Sequence, residues 1–465
     1  KKQETLLKSL KAKNTSTALR KFDDILNAIL PRVSERHDTQ SAIAVTSWRI
    51  TTIKDGCLSL LKHFPPDVPI TIFDTSRQLT DSKRFLSDIN NFAKLSDQDI
   101  RPFSAQYHNK PNPNLRTLKG SDLAKKIFMQ IKQSPEGKKL GHAIQLGIWN
   151  QIGILLYKTI PMLYDLHIQL TKICKQSDAS VLMVMPGRDA ESLTAQNAVK
   201  SFGVKTADIQ TAYFSRGHTY TAPSGDVVTA MDEWSQEAFI ERFKIPQSKI
   251  YNIGTSRFDR FSKLRISHEA VAQASKHRPN ICLATQPIQS EFTKEILHCL
   301  NDLYHSGIDF DCTVKLHPRQ SESIISEIES IASDLQKDGR LKITKHGDLA
   351  QILLNSDVLV TAFSNVTVEA ALMNCPVLIA NFTGDDIPIP FMEFGIAEEA
   401  RTREGFERLA RAMLYDEGFI QKMTEKRQSY FKRHSSQWNG EAGKNTAALI
   451  ISKMARTKFD LEESD

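Results

Sequence analysis

The sequence predicts an α/β protein of two Rossmann-like domains that face a cleft, with helical segments at the N-terminal and C-terminal ends. Three observations carry that expectation. Short runs rich in Val, Ile and Leu alternate with helix-length stretches, the pattern of parallel strands joined by crossover helices. The alternation occurs twice, before and after a charged stretch over residues 255–278. At 465 residues the chain is also too long for one ordinary core.

Residues 1–38 read as a helical N-terminal segment. Leu6, Leu10, Phe22, Ile25 and Ile29 are apolar among many lysines, so it packs on the body or lies on a membrane surface. Residues 39–260 form the expected N-terminal Rossmann-like domain, on the acceptor side of the cleft. Its strands are Ala42–Ser47, Ile70–Phe73, Val181–Met185, Asp208–Phe214, Val227–Ala230 and Ile250–Ile253. Helices run through Leu58–Leu61, Glu191–Phe202 and Gln236–Phe243. Residues 80–120 are too polar to assign, and 121–175 read as an insertion of two or three helices. Within it, Ile148–Ile168 is the most apolar long stretch. Gln151, Lys158 and Asp165 interrupt it, so it reads as a buried helix and not a membrane span.

The charged residues 255–278 read as a linker. Residues 279–415 form the expected C-terminal Rossmann-like domain, with strands Ile281–Thr285, Thr313–Leu316, Leu341–Thr344, Val358–Thr361 and Val377–Ala380. Its helices run through Glu291–Tyr304, Glu322–Leu335, Leu349–Leu354 and Val366–Met373. Residues 416–465 are a helical tail with the length to cross back. Two such domains in tandem with a crossing tail are the architecture called GT-B, whose substrates lie between the domains, where strand ends face one another.

Composition narrows the class. With 40% hydrophobic and 25% charged residues the chain is globular, without low complexity or internal repeats. Six cysteines stand at 57, 174, 282, 299, 312 and 375, none as a CxxC pair, which predicts reduced, buried thiols, no structural zinc and a cytoplasmic compartment. No apolar core follows Lys1–Lys8, so no signal peptide is expected. The net charge of +7 suits anionic substrates or the inner face of a membrane. The basic residues are spread out and form no nucleic-acid reader motif.

Chemistry is expected where polar loops follow strands. In the C-terminal half one loop opens with Lys315, Leu316, His317, Pro318 and Arg319. Pro318 holds His317 extended, and an imidazole there donates to a phosphate oxygen or protonates a leaving phosphate. A second loop holds Ser364, Asn365 and Thr367 at a helix start, whose N–H groups and hydroxyls suit a phosphate. In that reading Asn365 caps the helix while Ser364 and Thr367 face the ligand; an ordinary N-cap explains the same residues. Gln286 and His346 follow two further strands and are candidates for a base or ribose. Lys315 and Arg319 add positive charge.

In the N-terminal half, Gly187, Arg188, Asp189 and Glu191 occupy a strand-to-helix loop. One carboxylate is expected to act as base or nucleophile, the alternative being a partner for the helix dipole. Arg216 and His218 follow the next strand beside Gly217, a position suited to a donor or acceptor sugar. Asp232 is the third candidate carboxylate, or else the cap of the helix starting near Glu233. No metal motif is visible, and no cofactor is expected beyond a nucleotide-linked donor.

On these residues, the run from about 280 to 382 resembles the nucleotide-binding half of bacterial GT-B enzymes that use CMP-activated ulosonic acids, the Kdo and sialic acid transferases of capsule and lipopolysaccharide synthesis. His317-Pro318 is similar to their His-Pro motif, and Ser364-Asn365 to their Ser-Ser/Thr motif, with Asn in the second place. The resemblance implies that His317 and Ser364 hold the CMP phosphate of a nucleotide sugar. The expected protein is a metal-independent glycosyltransferase acting on a surface glycan or glycolipid, cytoplasmic or peripheral at the inner face of the inner membrane. The Asp/Glu-Asp/Glu-Gly of those families is missing, so Asp189 and Glu191 correspond only by loop position. Three alternatives share the pattern: a UDP-sugar 2-epimerase or UDP-sugar transferase, a CDP-glycerol-type glycerophosphotransferase, and an inactive GT-B scaffold.

Overall fold

A computed structural model describes residues 42–47, 56–74, 89, 91, 99–104, 120–135, 137–139, 141–155, 159–177, 179–185, 190–200, 202–214, 222–269, 278–286, 290–317 and 320–454. Two parallel sheets organise it. The first has seven strands: β1 (Ala42–Ser47), β2 (Ile70–Asp74), β3 (Ile100–Ser104), β4 (Ala179–Met185), β5 (Lys205–Asp208), β6 (Val227–Ala230) and β7 (Ile250–Asn252). The second has six: β8 (Asn280–Ala284), β9 (Asp311–Lys315), β10 (Leu341–Thr344), β11 (Val358–Thr361), β12 (Val377–Ala380) and β13 (Glu398–Ala400).

Helices fill the connections. In the first half they are α1 (Leu58–Leu61), α2 (Gly120–Gln133), α3 (His142–Ile154), α4 (Ile160–Ser177), α5 (Ala190–Lys200) and α6 (Glu233–Glu241). Then α7 (Ser256–Glu269) leads to α8 (Ser290–His305), α9 (Ile325–Ile331), α10 (Ser333–Lys337), α11 (Leu349–Leu354) and α12 (Val366–Leu372). The chain ends in α13 (Arg403–Tyr415), α14 (Glu417–Arg433) and α15 (Ala442–Met454).

Strand order is β3-β2-β1-β4-β5-β6-β7 in one sheet and β10-β9-β8-β11-β12-β13 in the other. Each reverses direction once, between its first and fourth strands. Such a reversal leaves a crevice at the carboxyl ends of the two central strands, where open α/β sheets bind ligands. In the second sheet the crevice lies between β8 and β11, which pair through Leu359 and Cys282.

The central strands of the second sheet, β9, β8, β11 and β12, are buried on both faces, as a parallel sheet requires. Side-chain alternation splits its residues between two layers. Ile281, Leu283 and Val360 pack with Leu297, Leu300 and Phe406 of α8 and α13. Cys282, Leu359 and Ile379 pack with Leu353, Ala371 and Leu372 of α11 and α12. All six cysteines are buried, and no disulfide joins them.

The structure departs from the sequence reading in five places. The expected strand Asp208–Phe214 stops at Asp208. Beyond it, side chains replace the ladder: Gln210 N–H donates to Thr229 Oγ1 at 3.0 Å, and Met231 N–H donates to Gln210 Oε1 at 2.9 Å. The expected linker over 255–278 is largely the helix α7. Its charges hide a buried stripe of Phe258, Phe261 and Ser262. The unassigned stretch contains β3, and the edge strand β13 is too short to stand out. Finally, the apolar run from Ile148 is not a buried helix. It is split between α3 and α4, and Trp149, Ile154 and Ile168 are exposed. The segment 1–38 lies outside the described residues.

The tail does cross back. Ala447 and Ile450 of α15 are buried against Val181, Met183 and Leu61 of the first sheet's core. Asp259 of α7 receives it, accepting from Ala442 N–H at 3.0 Å and Gly443 N–H at 2.8 Å. At Gly254, just ahead of α7, φ is +81° and a Cβ would meet the Gln437 carbonyl oxygen at 2.5 Å. Gly254→Ala therefore combines backbone strain with a clash. It should lower stability by about 2 kcal/mol or more, read as a shift of the urea midpoint.

Candidate active site

The site is best built from the β8–β11 crevice. Thr285, directly after β8, is buried and ties two loops together. Its Oγ1 accepts from His317 N–H at 3.1 Å and donates to Gln320 Oε1, while Gln320 N–H donates to the His317 carbonyl at 2.9 Å. The backbone of His317 is thus fixed on both sides, and the half-buried imidazole stands at the carboxyl edge of the sheet. Gln286 follows Thr285 and is half-buried at the same edge.

Across the crevice, Ser364 is half-buried where the chain enters α12. The helix start differs from expectation. Thr367 N–H donates to the Ser364 carbonyl and Val368 N–H to the Asn365 carbonyl, both at 3.0 Å. Those N–H groups are therefore spent within the turn and are not offered to a phosphate. Thr367 does not face a ligand either: it is fully buried, its hydroxyl without a partner. Asn365 makes no side-chain cap. Its Oδ1 instead accepts from Tyr213 N–H at 3.0 Å, joining the two halves of the molecule.

Lys315 and His346 sit further out. The Lys315 ammonium donates to the carbonyls of Leu316 and Lys345 at 3.1 and 2.7 Å, and partial burial lowers its pKa. These two carbonyls hold it. His346 is exposed after β10, the edge strand two places from β8. At about 4.8 Å per strand that is roughly 10 Å from the crevice.

Asp232 is a structural residue. It is 1% exposed. Its Oδ1 accepts from Ser235 N–H at 2.8 Å, capping α6. Its Oδ2 accepts from the hydroxyls of Tyr213 and, at 3.1 Å, Tyr430. Burial pushes the carboxyl above the usual range, and these hydrogen bonds oppose that rise. With both oxygens hydrogen-bonded and the side chain buried, the geometry gives it a structural place. Asp232→Asn keeps an acceptor for the cap and turns an amide N–H toward the two hydroxyls, which can accept it, so turnover should stay within a few-fold of wild type. Asp232→Ala should cost about 2 kcal/mol of stability. Loss of turnover in a well-folded Asp232→Asn would return it to the chemistry.

Glu191 lies in the first turn of α5, half-buried, where a carboxylate also suits the helix dipole. Gly187, Arg188, Asp189, Arg216, His218, Pro318 and Arg319 lie outside the described residues.

The contacts joining the halves escaped the sequence reading. Arg257 of α7 binds Glu369 of α12 through Nε and Nη2, at 3.0 and 2.8 Å. The Tyr213 ring packs edge-on to Trp234 and Phe391, 5.8 and 6.2 Å between centroids. A cavity of about 160 Å³ opens beside Asp232, Trp234 and Tyr430. Glu233, Glu237 and Glu393 line it against Arg433 and His434, and His434 already meets the Glu233 carboxylate. That balance repels a phosphate, so the crevice and not this cavity is the candidate site.

The comparisons with known proteins fit this geometry. A family model described as CDP-glycerol:poly(glycerophosphate) glycerophosphotransferase matches residues 191–451, more than half of the chain. The chain belongs to this family. The match runs from α5 to α15 and takes in Thr285, His317 and Ser364, so the family member is a transferase whose crevice lies inside the matched region. No curated protein sequence matches it.

Solved structures give the fold. A UDP-GlcNAc 2-epimerase from Neisseria meningitidis bound to UDP-GlcNAc is similar at TM-score 0.56 and 11% identity, over 89% of this chain and 100% of that one. A glycosyltransferase from Rickettsia africae ESF-5 is similar at TM-score 0.55 and 12% identity, over 90% and 99%. At such identities the likeness concerns the fold alone: the family member has the GT-B architecture.

Proposed function

We propose that this transferase moves a glycerol phosphate, or a closely related polyol phosphate, from a CDP-activated donor onto a phosphate-bearing glycan or polymer. The family match carries this reading, because it takes in the whole second sheet, the last three strands of the first and the crevice residues together. The acceptor hydroxyl oxygen bonds to the phosphorus that carries the glycerol. The pyrophosphate P–O bond breaks, CMP departs with the electron pair, and the hydroxyl proton passes to a base. His317, held by Thr285 and Gln320, donates a hydrogen bond or a proton to the departing phosphate. Ser364 supplies a second donor across the crevice, and Gln286 is placed to meet the nucleoside. Glu191 and Asp189 are the candidates for the base.

The net charge of +7 supports anionic reactants. The CMP-linked ulosonic acid implied by the sequence resemblance gains no support from the family match. The UDP-sugar reading rests only on fold likeness. Thermal shift at equal concentrations of CDP-glycerol, CMP and UDP-GlcNAc separates the three. A ligand that binds only the folded state adds about 2.7 kcal/mol at a hundredfold excess over Kd. CDP-glycerol should give the largest shift, and His317→Ala or Ser364→Ala should shrink it. A larger shift with CMP would favour the ulosonic acid donor, and with UDP-GlcNAc the epimerase class.

A further inference from the structure

Asn365 directly follows Ser364, in the place where a second hydroxyl would be expected on a phosphate. Its side-chain oxygen accepts the Tyr213 N–H at 3.0 Å instead, across 152 residues of sequence. The helix α12 gains nothing from that bond. Asn365 makes no side-chain cap, and the first turn closes through the backbone N–H groups of Thr367 and Val368. Tyr213 belongs to the first half by chain and to the second by packing. It is buried in one cluster with Val366 and Phe391, and its ring lies 6.2 Å from Phe391 and 5.8 Å from Phe394. The stretch that delivers it is itself tied down. Gln210 donates through Nε2 to the Ala212 carbonyl at 3.2 Å and accepts from Met231 N–H, beyond the end of β6.

We propose that Asn365 and Tyr213 are positioning residues, which fix the Ser364 side of the crevice relative to the first sheet. The proposal rests on the reading that the crevice takes a CDP-activated donor. Ser364 and Asn365 are joined by one peptide bond, so holding the Asn365 side chain on Tyr213 also holds Ser364. Transfer needs the acceptor oxygen at about 3–3.5 Å from phosphorus, and an error of about 1 Å costs on the order of a hundredfold in rate. The donor contacts proposed for His317 and Ser364 both lie in the second half. Loosening the clasp therefore leaves the donor bound and lets the acceptor side drift.

Asn365→Ala tests this by separating binding from turnover. Its kcat with CDP-glycerol and a glycerol-phosphate primer should fall about tenfold or more. The calorimetric Kd for CDP-glycerol should stay within about twofold, and the melting temperature should barely move, since no cap is lost. Hydrogen exchange followed by mass spectrometry reads the clasp itself. The Tyr213 amide should exchange faster in Asn365→Ala and stay slow in Asn365→Asp, which keeps an acceptor. A Kd raised tenfold with kcat kept would make Asn365 a donor contact and overturn the proposal. So would an unchanged kcat, or an exchange rate at Tyr213 equal in wild type and Asn365→Ala. A wild type that ignores CDP-glycerol would count against the donor reading alone, and the exchange comparison would still decide the clasp.

Discussion

Replacing His317 with Ala is expected to lower kcat by about a hundredfold or more, the usual worth of a positioned general acid. The melting temperature should barely move. The turn is held through the His317 backbone, by Thr285 Oγ1 and Gln320 N–H, so losing the imidazole leaves both contacts in place. Thr285→Val is the informative companion. It removes the hydroxyl that fixes the turn while the imidazole remains, so kcat should fall less than in His317→Ala. A kcat unchanged in His317→Ala would take that residue out of the reaction.

The second large effect is on stability. Arg257→Ala should cost about 3 kcal/mol, because it leaves the Glu369 carboxylate buried without its guanidinium. Glu369 is 5% exposed and Arg257 24%, so partial solvation of the arginine keeps the loss toward the low end for a buried pair. Glu369→Gln in the Arg257→Ala background should recover much of the loss by removing the charge that the guanidinium balanced. The pair joins α7 to α12, so Arg257→Ala should also weaken donor binding at the crevice. If urea unfolding showed additive losses in the double variant, the two side chains would not act as a pair.

Much of the fold was legible because buried parallel strands are written as short apolar runs. β1, β6, β10, β11 and β12 fall where the sequence places them. What was illegible lies where polar groups satisfy the backbone or the core. The Gln210 contacts end β5 early, and the charges of α7 mask its buried phenylalanines. The exposure of α3 was hidden for the opposite reason, since an apolar run says nothing about whether protein or something else covers it. At the site, the turn with His317 and the helix start with Ser364 stand out as polar signals after strands. Thr285 was in view but read as the strand's last residue, and Asn365 as a cap. Their real partners, and those of Tyr213, Arg257 and Glu369, lie tens of residues or more away in sequence. No local spacing encodes them.

The central claim is most directly tested by following the products. The full chain is incubated with CDP-glycerol and a primer ending in glycerol phosphate, and phosphorus NMR follows the phosphates. The account predicts one new phosphodiester for every CMP released, with both lost in His317→Ala. If CDP-glycerol stays intact while a CMP-linked ulosonic acid or a UDP-linked sugar is consumed, the account is contradicted.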